Sequence, residues 1–169
     1  GVDRCREGEG AHRGGNRLAG DPRRDDILGG EREMGVVVVP GGAAAAGFFG
    51  QDIVVVEAEI AKSTQTVKFW DAYPDRFYNI GSAEANMVGV SAGLSVMGKI
   101  PFPTTFACFA TRRAYDQFFI SANYAQQNVK LIGTDPGVSA EFNGGTHMPF
   151  EDIALTRVIP NLVIVEPAD

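Results

Sequence analysis

Residues 79–109, NIGSAEANMVGVSAGLSVMGKIPFPTTFACF, set one acid, Glu84, in the first turn of an apolar, small-residue segment and end on Phe106 and Phe109. A carboxylate fixed at a helix start, with aromatic faces delivered nearby, can hold a flat heteroaromatic ring that carries a basic nitrogen. The neighbours Ala83, Ala85, Met87 and Val88 leave little water around Glu84. Desolvation there favours the neutral acid, whereas the positive end of a helix favours the carboxylate. A carboxyl poised between these pulls suits proton exchange with a ring nitrogen. His147, one of two histidines, lies in NGGTHMP just ahead of a helix signal, where hydroxyl or anion recognition is plausible. Each residue also has a plain reading: Glu84 as a capping-turn acid, Phe106 and Phe109 as core, His147 as a satisfied loop side chain. Arg112 and Arg113 read as solvated helix charges within reach of a phosphate, Trp70 and Tyr73 as packing, and Cys108 as a small apolar filler.

The elements that must position these residues alternate in type. Residues 52–58 (DIVVVEA) form a continuous β-branched run of the kind buried in parallel sheets. A polar loop leads to a short helix over 67–73, stopped by Pro74, and to a strand over 76–80. Ser82 is placed to cap a helix running to about residue 97. A strand over 100–106, an amphipathic helix over 110–125 and a strand over 129–134 follow. A long loop then spans 135–147, a helix spans 149–158 with Pro149 in its first turn, and a strand covers 162–165. This order predicts an α/β fold, a parallel sheet with helices on both faces and ligands at the carboxyl ends of its strands. Glu84, Phe106 and the 135–147 loop all follow strands, so they share that edge.

Residues 1–50 read differently. They hold 13 of the 21 glycines, 7 of the 11 arginines and none of the 4 lysines. Residues 1–26 show no helical or strand period and would bury no face. Val36 to Val39 could form a short strand, and residues 43–49 a weak helical turn. The Pro40-Gly41-Gly42 break lacks the spacing of a phosphate-binding loop. The expectation is a disordered or non-native segment, since a shifted reading frame in GC-rich coding DNA yields this Gly/Ala/Arg/Val bias. The domain proper is then 51–169.

A chain of 169 residues can bury one real core. A formal charge of -6 argues against nucleic-acid binding, which needs a basic face. No apolar run approaches the ~20 residues that span a bilayer, and no signal peptide is evident. Cys5 and Cys108 have no metal-ligand spacing, so the cytoplasm is the default location.

The segments DAYPDRFYNIGSAEANMVGVSAGL, GKIPFPTTFACFATRRAYDQ and NGGTHMPFEDIALTRVIPNLVIVEPAD resemble the pyrimidine-binding domain of the transketolase family, in the style of enzymes whose two halves are separate subunits. The likeness covers roughly residues 51–169. It implies that Glu84, in the G-x-A-E-x-N-M pattern, bonds the aminopyrimidine of thiamine diphosphate and promotes its imino tautomer. It assigns Phe106 and Phe109, the T-F-x-x-F pair, to stacking on that ring, and His147 to the sugar substrate. The implied reaction moves a two-carbon ketol unit between sugar phosphates, sedoheptulose 7-phosphate and glyceraldehyde 3-phosphate giving ribose 5-phosphate and xylulose 5-phosphate. Related readings are a deoxyxylulose-phosphate synthase-like protein, a 2-oxoacid dehydrogenase β-like subunit, and a non-catalytic association subunit.

The chain departs from the family pattern at Glu141-Phe142-Asn143-Gly144, where G-E-D-G is usual, at Ala58-Glu59 in place of A-D, and at Arg112 in place of an aromatic. The helix expected before Asp52 has the glycine-rich segment in its place, and the domain is expected to be truncated at its C-terminal end. No G-D-G…N motif for the diphosphate and its Mg2+ or Ca2+ is present. The resemblance therefore implies half a site and no metal ligand on this chain. Its partners would be a diphosphate-binding subunit and a second copy of itself, in a dimer or heterotetramer.

Overall fold

The computed structural model describes residues 52–166 and, for the backbone only, residues 37–40. Among the described residues the strands are β1 (Val37–Pro40), β2 (Ile53–Glu57), β3 (Phe77–Asn79), β4 (Ile100–Phe106), β5 (Leu131–Thr134) and β6 (Leu162–Val165). They lie in one sheet in the order β3-β2-β4-β5-β1-β6. β3, β2, β4 and β5 run parallel, with Glu57 opposite Asn79 and Thr104, and Phe106 opposite Thr134. This is the expected parallel α/β core. The departure is β1, which runs antiparallel to both β5 and β6, so the sheet is mixed on that side. All four residues of β1 pair with β6, and Val37 and Val38 also pair with Ile132 and Leu131 of β5, so β1 bridges the two strands.

The helices are α1 (Val67–Ala72), α2 (Glu84–Val96), α3 (Tyr115–Gln117) and α4 (Asp152–Thr156). Passing from β2 to β3 moves one way along the sheet, and passing from β3 to β4 moves back past β2. Right-handed crossovers therefore put α1 on one face and α2 on the other. The chain from β4 to β5 continues in α2's direction, so its helical stretch shares α2's face. There Val56, Met87, Val88, Ala110, Ala114, Phe118, Ala122 and Leu131 form the core. Burying each of its large side chains is worth about 1.5–3 kcal/mol.

The expected helix over 110–125 is present but is not a plain α-helix. It consists of a π-helical turn Phe109–Arg113, then α3, then a second π-helical segment Phe118–Tyr124. Its buried residues Ala110, Ala114, Phe118 and Ala122 recur every fourth position. In an α-helix a step of four overshoots one turn by roughly 40°, so a stripe of three steps would wind out of the core. The wider π turns return the stripe to it.

Two helix starts also differ from expectation, β5 begins at Leu131 instead of residue 129, and the long loop carries structure of its own. Ala83, not Ser82, stands at the cap of α2, at φ -143° and ψ 66° and without a side-chain cap bond. The Gly81 turn (φ +78°) that links β3 to α2, held by its N–H donating to Asn79 Oδ1 at 3.0 Å, carries the chain past Ser82. α4 begins at Asp152, so Pro149 precedes it instead of lying in its first turn. Glu151 accepts from the Phe150 N–H at 2.9 Å and faces Arg112, which holds residues 150–151 in a turn outside the helix. The 135–147 loop contains two 3-10 turns, Glu141–Asn143 and Gly145–His147. The helical turn expected at 43–49 lies outside the described residues.

Candidate functional site

The carboxyl ends of β3, β4 and β5 lead into Glu84, the Phe106–Phe109 turn and the loop that carries His147. Three of these side chains touch. Phe106 and Phe109 lie with ring centroids 6.1 Å apart, and His147 sits edge-on to both, 5.9 Å from Phe106 and 5.2 Å from Phe109. Such tilted and T-shaped arrangements are the favourable ones for aromatic quadrupoles. Thr146 Oγ1 lies 2.9 Å from His147 Nδ1, which leaves Nε2 as the far nitrogen of that ring.

Glu84 joins this group through a residue that the sequence presented as a solvated charge. Arg113 donates from Nη1 to Glu84 Oε1 at 2.8 Å, and its guanidinium lies over the Phe109 ring, 4.1 Å from the centroid. The Glu84 side chain is 4% exposed and that of Arg113 54% exposed. Glu84 Oε2 is buried and has no hydrogen-bond partner among the described residues. A buried carboxylate oxygen left open is costly unless a donor completes it, and the start of α2 only partly offsets that cost.

Arg112 turns the other way. It donates from Nη2 to the Thr146 carbonyl at 2.9 Å and pairs with Glu151 Oε1 at 3.0 Å. Neighbouring arginines on one π turn thus reach Glu84 on one side and the His147 loop on the other. Neither was legible from spacing, since the pairs are 29 and 34 residues apart. Cys108 is buried, and burial pushes its thiol above the usual range, in keeping with a filler.

Glu57 was also missed, because it ends an apolar strand run. It is fully buried, and its oxygens accept from Thr64 Oγ1 at 2.6 Å and from the Ile60 N–H at 2.8 Å, which ties the loop after β2 to the sheet edge. Burial raises this carboxyl above its ordinary value, against the lowering by its hydrogen bonds, and nearby Glu59 adds to the rise. The folded state therefore favours the neutral acid. Its contribution to stability is complete below the ordinary value of 4.5 and is lost as pH rises through the folded value. Glu57→Gln is accordingly expected to gain stability relative to the wild type as pH rises from 4.5 to 8. Urea unfolding of both proteins across that range measures it, and a wild type that gains on the variant with rising pH contradicts the assignment.

The profile of the family described as "Transketolase, pyrimidine binding domain" matches residues 32–169. The chain belongs to the transketolase pyrimidine-binding family. The matched span begins inside the glycine- and arginine-rich segment and includes β1. Among its relatives, the 6-deoxy-6-sulfo-D-fructose transketolase subunit of Clostridium sp. is 48% identical over 69% of this chain and 36% of its own length. A putative transketolase C-terminal section from Methanocaldococcus jannaschii is 41% identical over 70% of this chain and 38% of its own. The chain thus spans little more than a third of these relatives. A solved chain described as a split gene transketolase, inactive beta4 tetramer, aligns with a TM-score of 0.55 at 48% identity, over 65% of this chain and 35% of that one.

As a member of the transketolase family the chain belongs with thiamine diphosphate-dependent proteins, and its own residues suit the pyrimidine part of that cofactor. An open buried carboxylate oxygen and an aromatic pair meet the needs of an amino-substituted heterocycle. Among the described residues no three His, Cys, Asp or Glu side chains cluster as they would around a metal ion, and no helix is long and apolar enough to cross a membrane.

Proposed function

We propose that this chain is the pyrimidine-binding half of a thiamine diphosphate-dependent transketolase, which moves a two-carbon ketol unit between sugar phosphates once a diphosphate-binding partner supplies the other half. The observation that carries this reading is Glu84. It is buried at the head of α2, has one oxygen open, and is tied through Arg113 to the Phe106, Phe109 and His147 cluster.

When bound, the cofactor supplies a nucleophilic carbon and an electron sink. Glu84 Oε2, buried and open, would accept a hydrogen bond from the ring N–H and hold its proton, and a hydrogen bond to a charged group is stronger where the acceptor is buried. Phe106 and Phe109 hold the ring plane and exclude water. His147 presents its far nitrogen to a sugar hydroxyl. Mg2+ or Ca2+ and the diphosphate are assigned to the partner, and the cytoplasm is the proposed location.

The names of the relatives support a sugar or modified-sugar substrate, and the choice among them belongs to residues around His147. Phe142, where the family usually has an acid, is 96% exposed within the loop that carries that residue. The composition break near residue 50 supports a non-native origin for the residues ahead of β1, while the family match from residue 32 and the pairing of β1 with β5 and β6 extend the domain to before residue 51.

Calorimetric titration of thiamine diphosphate and Mg2+ tests the reading. Saturable binding is expected when the chain is mixed with a cognate diphosphate-binding subunit, and only weak binding to the chain alone. Tight binding to the isolated chain overturns the half-site, and no binding to the mixture overturns the function.

A further inference from the structure

Arg113 is placed unlike any other charged side chain at the sheet edge. Its guanidinium touches the acid and one of the two rings at once, through Glu84 Oε1 and the Phe109 face. Its own side chain is half in solvent, so it does not need this contact to be hydrated. Glu84, by contrast, is buried and can turn about its own torsions. With Oε1 held by Arg113, the open atom is Oε2. A planar fork lying against an aromatic ring fixes direction as well as charge, which an ammonium on a flexible stem does less well.

We infer that Arg113 is a positioning residue for the ring-binding pocket: it locks Glu84 through Oε1 and braces Phe109, so that Oε2 faces the heterocycle in one orientation. This inference rests on the pyrimidine-binding reading given above. The π-helical turn Phe109–Arg113 makes it possible. The turn closes with the Ala114 N–H donating to the Phe109 carbonyl at 3.1 Å, and its first and last side chains meet as ring and cation. Thr111 Oγ1, donating to the Ala107 carbonyl at 2.7 Å, anchors the same turn to the end of β4.

The test is a double-mutant cycle read by calorimetry, with thiamine diphosphate and Mg2+ titrated into the chain mixed with its diphosphate-binding subunit. Arg113→Ala is expected to weaken cofactor binding about tenfold, as loss of a charge-assisted contact to a buried group does. In a Glu84→Gln background the same substitution is expected to cost clearly less than tenfold, because the charge-assisted contact is already lost and only the brace on Phe109 and a neutral hydrogen bond remain to be removed. Arg113→Lys, which keeps the charge without the fork, is expected to recover part of the loss. Arg113→Ala binding as tightly as the wild type overturns the inference, as does a full additional loss on top of Glu84→Gln. A wild-type mixture that binds no cofactor fails differently, since it removes the pyrimidine reading and the inference with it.

Discussion

Glu84→Gln is expected to lower ketol transfer by about a hundredfold or more in the reconstituted mixture, the range typical of losing a general acid–base group. Melting of the chain is expected to change little. The contrast follows from the surroundings of the carboxylate. Glutamine keeps the side-chain volume at this buried position of α2, and its carbonyl can still accept from Arg113. Arg113 loses a countercharge but stays hydrated, because its side chain is 54% exposed. The fold therefore gives up a partly exposed ion pair, worth roughly a kcal/mol or less. The site gives up the charge and the proton-accepting oxygen together, since an amide nitrogen at the Oε2 position donates where a ring N–H also donates. Steady-state transfer between a ketose phosphate and an aldose phosphate, with thermal melting alongside, separates the two effects. Unchanged transfer removes Glu84 from the mechanism, and a collapse in melting makes it a structural acid.

Gly133→Ala is the second large effect, and it acts on the fold. A Cβ at Gly133 would stand 2.7 Å from the Ala107 Cα and 3.0 Å from its Cβ. The obstacle is backbone, between strands paired at Thr105 and Gly133, so no side chain can swing aside. The expected cost is about 1–3 kcal/mol, the usual range for an overpacked interior. Ala107 lies directly between Phe106 and the π turn, so the displacement also reaches the ring pair. Urea unfolding reads the first effect and cofactor titration the second. A variant within about 0.5 kcal/mol of the wild type would mean that β4 and β5 part more easily than their ladder implies.

How much of this was written in the chain depends on which interactions are local. β4 and β6 begin and end where the β-branched and proline-bounded runs place them, because backbone pairing follows short-range pattern. The convergence of Phe106, Phe109 and His147 was legible from topology alone: residues that follow parallel strands share an edge. Other features depend on partners far along the chain. Arg112 and Arg113 look identical in sequence, and only the π turn sends them to opposite sides. Its one local signal is the four-residue recurrence of Ala110, Ala114, Phe118 and Ala122, which fits a wider helix better than an α-helix. Glu57 hid at the end of a valine run, where the polar loop that satisfies it, Ile60 to Thr66, gave no periodic cue. The start of α4 was misread because proline at a first turn is a propensity, whereas Glu151 is held by Arg112 from another element.

The chain's single tryptophan, Trp70, stacks on Phe77 at the start of β3, with ring centroids 4.8 Å apart and planes nearly parallel at 3°. β3 is three residues long and pairs with β2 alone, so it is the strand held by the fewest bonds among those that lead to the site. Five residues beyond its end stands Glu84. Indole emission thus registers the strand that leads to Glu84, separately from the interior around Phe118, whose loosening the far-ultraviolet helix signal follows. Fraying of the strand ahead of Glu84 and melting of the body are distinguishable in one cuvette, by emission and by circular dichroism, without a label.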